Sequence, residues 1–134
     1  MNITLLGIYE SERPRLDSLP TTSVRTLRVS RRQSLTITLE VVNTDGTPFS
    51  IASCTVKLGV CRSTRDPWGS VLTKTVTVSP TASPTNVTTF TCTATELDLE
   101  PGRYLYSVWV EQPTGTRDPV VLVSPLLVLG SALP

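Results

Sequence analysis

Residues 34–46, SLTITLEVVNTDG, decide the fold class of this 134-residue chain. Apolar side chains alternate with polar ones from Leu35 to Val41, which is the pattern of a β-strand with one buried and one solvent-facing side. Asp45 and Gly46 follow, and this dipeptide favours a tight reversal because glycine accepts a left-handed backbone. The stretch therefore predicts a strand that ends in a turn at residues 43–46.

Five further predicted strands, some alternating and some rich in β-branched residues, follow this turn. They cover residues 54–60, 71–78, 87–94, 103–111 and 120–129. Loops rich in Pro, Gly and Ser separate them, and residues 95–100 predict one short helical turn. Hairpin-like spacing of this kind favours antiparallel pairing. We therefore expect an all-β fold, an antiparallel β-sandwich of about seven strands.

The first 33 residues differ from the rest in charge and pattern. Prolines interrupt their two extended runs, so we expect residues 1–33 to form an extended amino-terminal arm or an edge strand, and residues 34–134 to form the sandwich domain. Six of the basic residues lie in this segment: Arg13, Arg15, Arg25, Arg28, Arg31 and Arg32. Arginine suits protein interfaces because it binds carboxylates bidentately. The alternatives are a solvated charged stretch and an arm that packs on its own domain.

The composition excludes most catalytic chemistry. The chain has no histidine, and so it lacks a Ser-His-Asp or Cys-His pair and any histidine metal ligand. Cys54 and Cys61 fall on opposite faces of one predicted strand, which does not suit a metal site. Cys54 and Cys92 share the parity of core residues and are expected to be buried, whereas Cys61 is expected near the surface. We predict no enzyme, no cofactor and no metal.

Neither the net charge nor a targeting signal indicates nucleic acid or a membrane as a partner. A formal charge of +1 gives no field that would imply binding to nucleic acid or to a membrane. The first residues lack the pattern of a secretory leader, so we expect assembly in a cytoplasm. Trp68, in a Pro-Gly loop, and Trp109, on the outward parity of its strand, are candidate interface residues. Local packing is the alternative reading of both, and a carbohydrate- or host-binding module is a further functional alternative.

Four motifs from residue 34 onward occur in an order that resembles the amino-terminal domain of phage baseplate upper proteins. They are residues 34–39, residues 43–51 with a D-G-x-P hairpin, residues 54–60, and residues 97–106 with an L-x-P-G-x-Y-x-Y pattern. The resemblance spans about residues 34–129. It implies an immunoglobulin-like β-sandwich in a tailed-phage particle, which attaches one virion component to another and has no enzymatic activity.

The sequence departs from the family pattern at both ends of the sandwich. A basic segment precedes it, and we expect no helical linker or distal domain after residue 129. We therefore expect a capsid decoration or cement protein on the outer capsid surface. The alternative is a tail, neck or baseplate adaptor that attaches fibres. In either case the expected location is the virion, and the expected partners are the major capsid protein, tail or baseplate proteins, or further copies of this chain in a homo-oligomer.

Overall fold

The computed structural model of this protein describes residues 1–9 and 25–130. Eight strands lie in these ranges: β1 (Asn2–Tyr9), β2 (Leu27–Ser30), β3 (Leu35–Asn43), β4 (Thr55–Cys61), β5 (Leu72–Thr77), β6 (Val87–Cys92), β7 (Gly102–Glu111) and β8 (Arg117–Leu129). The described part of the chain contains no helix, and residues 94–97 form a hydrogen-bonded turn where a helical turn was expected. The all-β prediction is confirmed.

The strands form two sheets that pack together. One has the order β1-β3-β6 and the other the order β2-β8-β7-β4-β5. Pairing among the strands after residue 34 is antiparallel throughout, as predicted. The two amino-terminal strands differ, because β1 pairs with β3 and β2 pairs with β8 in parallel.

The core lies between the inner faces of the sheets. In β3 the residues from Leu35 to Val41 alternate as predicted, and Leu39 and Val41 are fully buried. In β7 the inward residues Tyr104, Tyr106, Val108 and Val110 are likewise buried. Apolar side chains from both sheets therefore make one shared core, whose burial is the main source of stability in a fold of this kind.

The described parts of residues 1–33 lie at the edges of the two sheets. Strand β1 buries Leu5 beside β3, and strand β2 buries Leu27 and Val29 beside β8. The ring of Tyr9 stacks on that of Phe49 with centroids 3.9 Å apart, which joins β1 to the loop that follows β3. The described residues form eight strands where about seven were expected. The difference arises because β1 and β2 both carry enough apolar residues to extend a sheet.

The predicted turn after β3 forms at residues 43–48. Asp45 accepts hydrogen bonds from the backbone N–H and the hydroxyl of Thr47, at 3.0 and 2.6 Å. Gly46 has a φ of 88°, the left-handed conformation for which this glycine was predicted. The hydrogen bonds from Thr47 also lower the pKa of Asp45.

Two buried tyrosines fix the course of β7. The Tyr104 hydroxyl donates to the carbonyl of Glu100 at 2.8 Å, and the Tyr106 hydroxyl donates to the carbonyl of Arg25 at 2.5 Å. The second bond ties the segment before β2 to the centre of the sheet. Burial raises the pKa of Tyr106 to about 12, so this hydroxyl remains a donor at neutral pH.

Candidate functional site

The outer face of the five-stranded sheet carries the exposed aromatic and basic side chains that a binding surface needs. We call it the tryptophan face; it comprises Arg28, Lys57, Trp68, Arg103, Leu105, Trp109, Glu111, Arg117, Val123 and Leu127. The outward parity of β7, predicted from its alternation, brings Leu105 and Trp109 to this face. Trp68 reaches it from the loop between β4 and β5.

A single hydroxyl joins the two tryptophans. Both indole N–H groups donate to the Oγ of Ser107, from Trp68 at 2.9 Å and from Trp109 at 3.3 Å. Ser107 is buried although its side chain faces outward, because the indoles cover it. The Trp68 indole lies directly on Gly59 of β4, where an added Cβ would come within 2.2 Å of the ring. Only glycine leaves room for this close approach.

One carboxylate holds two cations beside Trp109. The Glu111 Oε2 atom lies 2.8 Å from the Nζ of Lys57 and 3.5 Å from the Nε of Arg117. The hydrogen bond from Lys57 lowers the pKa of Glu111, and the charge of Arg117 contributes to the same shift. The two cations share one negative charge, so this part of the face has an excess of positive charge.

A cleft of about 280 Å³ lies between these groups and is lined by Lys57, Trp68, Trp109 and Arg117. We call it the tryptophan cleft. Its walls are the indole rings and its charged groups are the two cations. Trp68 remains 43% exposed although its ring packs on the sheet, so both readings of this residue apply to it: it packs locally and it also faces solvent.

A second basic group lies at the other end of the tryptophan face. Leu127 of β8 lies between Arg28 of β2 and Arg103 of β7, which are its cross-strand neighbours on either side. Val123, on the same strand and face, is 53% exposed. Exposed apolar side chains flanked by arginine are typical of protein interfaces.

The remaining predicted interface arginines make contacts within the chain or lie outside the described residues. Arg31 and Arg32 both donate from Nε to the Oδ1 of Asp98, at 2.7 and 2.9 Å. These two bonds lower the pKa of Asp98. Arg25 donates to the backbone carbonyl of Thr4, which ties β1 to the segment before β2. The predictions for Arg13 and Arg15 fall on residues that the structure does not describe.

The cysteines do not combine into a reactive or metal-binding site. Cys54 and Cys92 are buried as predicted, Cys61 is partly exposed, and all three are free thiols. Burial raises the pKa of Cys54 and of Cys92, which keeps both protonated at neutral pH. Across residues 1–9 and 25–130 no cluster of cysteine and carboxylate side chains could hold a metal ion. Those same residues include no helix that is long and apolar enough to cross a membrane.

Sequence reasoning missed the residues that join the two tryptophans. The alternation over residues 103–111 gives Ser107 no role, and the run 54–60 does not distinguish Gly59 from the other residues of its strand. A glycine inside an otherwise good strand pattern often marks a close approach of another group, and that signal was available at Gly59. The pairing of Lys57 and Arg117 with Glu111 depends on the register of three strands, so no local pattern indicates it.

Comparison with solved structures finds 23 chains that match this one. The chain is similar to the solved N-terminal domain of phage TP901-1 ORF48, with a TM-score of 0.45, 11% sequence identity, and coverage of 98% of this chain and 99% of that one. No protein-family model matches the chain, and no curated protein matches it. The likeness concerns the course of the backbone, and no residue role is carried over from it.

Proposed function

We propose that this chain is a structural protein of a tailed-bacteriophage particle and that it binds a neighbouring particle protein through its tryptophan face. It performs no catalysis and uses no cofactor in this role. Its partners are other virion proteins and further copies of the chain, and neither nucleic acid nor membrane is required.

The observation that carries this proposal is the arrangement of the four sequence motifs on the fold. Residues 35–39 of the first motif lie in β3, and residues 43–51 contain the turn after it. Residues 55–60 of the third motif lie in β4, and residues 97–106 lead into β7. Each motif thus has a structural role in the sandwich. At the start of β7, Tyr104 donates a hydrogen bond to the Glu100 carbonyl, as in the tyrosine corner of immunoglobulin-like sandwiches. This bond supports the immunoglobulin-like fold that the motif resemblance implies.

The chemistry of the tryptophan face supports binding rather than catalysis. Tryptophan and arginine are enriched among the residues that dominate binding energy at protein interfaces. Three of the predicted interface residues, Arg28, Trp68 and Trp109, share this face. An isolated sandwich gains little from holding two indoles and several arginines at its surface, whereas a particle component uses them to bind a neighbour.

We propose capsid decoration as the specific role. The test is the copy number of this protein in purified particles of the phage that encodes it, measured by quantitative mass spectrometry against the major capsid protein. Decoration predicts on the order of hundreds of copies per particle, since such proteins follow the repeats of the shell. Absence from purified infectious particles would refute the virion role altogether.

An adaptor of the tail, neck or baseplate is the second candidate. The observation that favours it is the motif order, which resembles a baseplate protein domain. It predicts about a dozen copies or fewer per particle, in keeping with the low-order cyclic symmetry of a tail assembly. The same measurement therefore separates the two roles.

A matched pair of substitutions tests whether the tryptophan face makes the contact. Leu127→Glu places a carboxylate between Arg28 and Arg103, where it can form ion pairs and remain compatible with folding. Thr38→Glu adds the same charge at the outer face of the other sheet. We expect Leu127→Glu to reduce incorporation into particles at least about tenfold, and Thr38→Glu to leave it within about twofold. Equal incorporation of both variants would refute the assignment of this face.

The division of the chain at residue 33 is also part of the proposal. In this view residues 34–134 form the sandwich domain and residues 1–33 form an arm with edge strands, whose arginines extend the contact with a neighbour. Arg31 and Arg32 share one carboxylate oxygen of Asp98, so this pair keeps an excess of positive charge. Replacing both by glutamine should weaken particle binding without changing the far-ultraviolet β-sheet spectrum.

A further inference from the structure

We propose that the tryptophan cleft binds an extended segment of a partner protein that carries a carboxylate next to an apolar side chain. This inference rests on the proposed function, because it names the chemistry of the partner that the tryptophan face would hold. The indole walls would contact the apolar side chain, and Lys57 and Arg117 would bind the carboxylate.

The charge balance of the cleft favours a carboxylate. Lys57 and Arg117 share Glu111, and the Arg117 side chain is 65% exposed, so several of its N–H donors face solvent. A second carboxylate would complete the pairing of both cations without a large desolvation cost, because the site is already partly open to water. Charge-assisted hydrogen bonds of this kind are shorter and stronger than neutral ones.

The polar groups of the cleft argue against a sugar as its occupant. A saccharide needs several directed hydrogen bonds to its hydroxyls, in addition to an aromatic surface for its ring. Here both indole N–H groups already donate to Ser107, and the cleft is otherwise lined by the two cations. The cleft therefore offers apolar ring surface and positive charge, which match an acidic peptide segment better.

The same charge argues against a second copy of this face as the occupant. Four cations lie on the tryptophan face, against Glu111 on the sheet and Asp66 in the adjoining loop: Arg28, Lys57, Arg103 and Arg117. A face with this excess would repel an identical copy, since like charges brought together at an interface are unfavourable. A partner with an acidic rim is complementary to it.

The first experiment identifies what the cleft selects. The purified 134-residue chain is used as bait for a library of random twelve-residue peptides. An extended peptide of about this length can cross several strands of the sheet. Enriched peptides are then titrated, with tryptophan fluorescence as the signal. Both tryptophans of the sequence line the cleft, so with tryptophan-free peptides the fluorescence comes from this site. We expect enrichment of Asp or Glu next to aromatic, proline or aliphatic residues.

Three variants then test the roles of the charged groups. Lys57→Gln should weaken binding of an enriched peptide about tenfold, while Glu111→Gln should strengthen it, because it removes the carboxylate that competes for the cations. Lys74→Gln is the matched control: Lys74 is the other lysine of the chain and is also paired with a glutamate, at 3.0 Å from Glu96, but it lies outside the cleft. Lys74→Gln should bind like the unmodified chain.

Several outcomes would overturn the inference. They are the failure to enrich any peptide, enrichment without acidic residues, equal loss of binding in Lys57→Gln and Lys74→Gln, and tryptophan fluorescence changes with neutral oligosaccharides that match those with peptides. All of these are measured on the purified chain. They are therefore distinguishable from failure of the proposed function, which is decided by the presence of the protein in particles.

Discussion

The two sheets of this protein are alike on their inner faces and different on their outer faces. The outer face of β1-β3-β6, which we call the threonine face, has rows of side chains that cross all three strands: Asn2, Thr36 and Thr91; Thr4, Thr38 and Thr89; Leu6, Glu40 and Val87. The tryptophan face has two indoles, several arginines and a cleft. Since the core constrains only the inner positions, the outer positions are where binding properties can differ.

The contrast also separates residues that serve folding from residues that serve binding. Threonine favours strands because its β-branched side chain fits a pleated, half-exposed surface. The threonines of this face are therefore explained by the needs of the sheet alone. On the tryptophan face, Val123 and Trp68 expose apolar surface to water, which is energetically unfavourable, and the sheet does not require them.

The largest expected effect tests whether the inner faces are equivalent. Leu39 of β3 and Leu58 of β4 are both buried, one in each sheet, with exposures of 0% and 3%. Replacing either by alanine should lower the free energy of unfolding by about 3 kcal/mol, because each change removes buried methyl groups and leaves a cavity. Urea unfolding monitored by circular dichroism measures both. A loss below about 1 kcal/mol for only one of them would contradict a shared core.

Much of the fold could be predicted because its signals are local. The alternation from Leu35 to Val41, the turn at Asp45 and Gly46, and the outward parity of Trp109 in β7 all appear in the structure where the sequence predicts them. Each of these features depends on side-chain parity over a few residues. Burial of Cys54 and Cys92 was predicted on the same basis.

The pairing of the amino-terminal strands could not be predicted in this way. Whether β1 joins β3 in parallel depends on which edge is free after the rest of the sheet has formed, and a short apolar run does not encode that choice. The tryptophan face shows the same limit. Trp68 and Trp109 could be proposed separately, but their shared bond to Ser107 requires a loop to fold over Gly59.

A medium effect is expected when the support of the tryptophan cleft is disturbed. In Gly59→Ala the new methyl group would meet the Trp68 indole at 2.2 Å, so the ring must lift and lose its bond to Ser107. We expect a loss of about 1 kcal/mol in the free energy of unfolding and a red shift of tryptophan fluorescence. Thr38→Val on the threonine face is the control; it keeps the β-branched shape that favours a strand and should change stability by less than about 0.5 kcal/mol. Unchanged fluorescence in Gly59→Ala would show that the ring does not rest on β4.

The smallest expected effect concerns the pH dependence of stability on the tryptophan face. The folded state lowers the pKa of Glu111 below its ordinary value of 4.5, mainly through the hydrogen bond from Lys57. A carboxyl group with a lowered pKa stabilises the fold above its ordinary pKa, and this stabilisation is lost as pH falls through the folded value. Glu111→Gln should therefore have a lower melting temperature than the unmodified chain at neutral pH, and the difference should shrink as the solution is acidified below about pH 4. Salt at about 1 M should reduce the difference at neutral pH as well, because it screens partly exposed charges. A difference that stays constant across this pH range would mean that Glu111 stabilises the fold through packing and not through its charge.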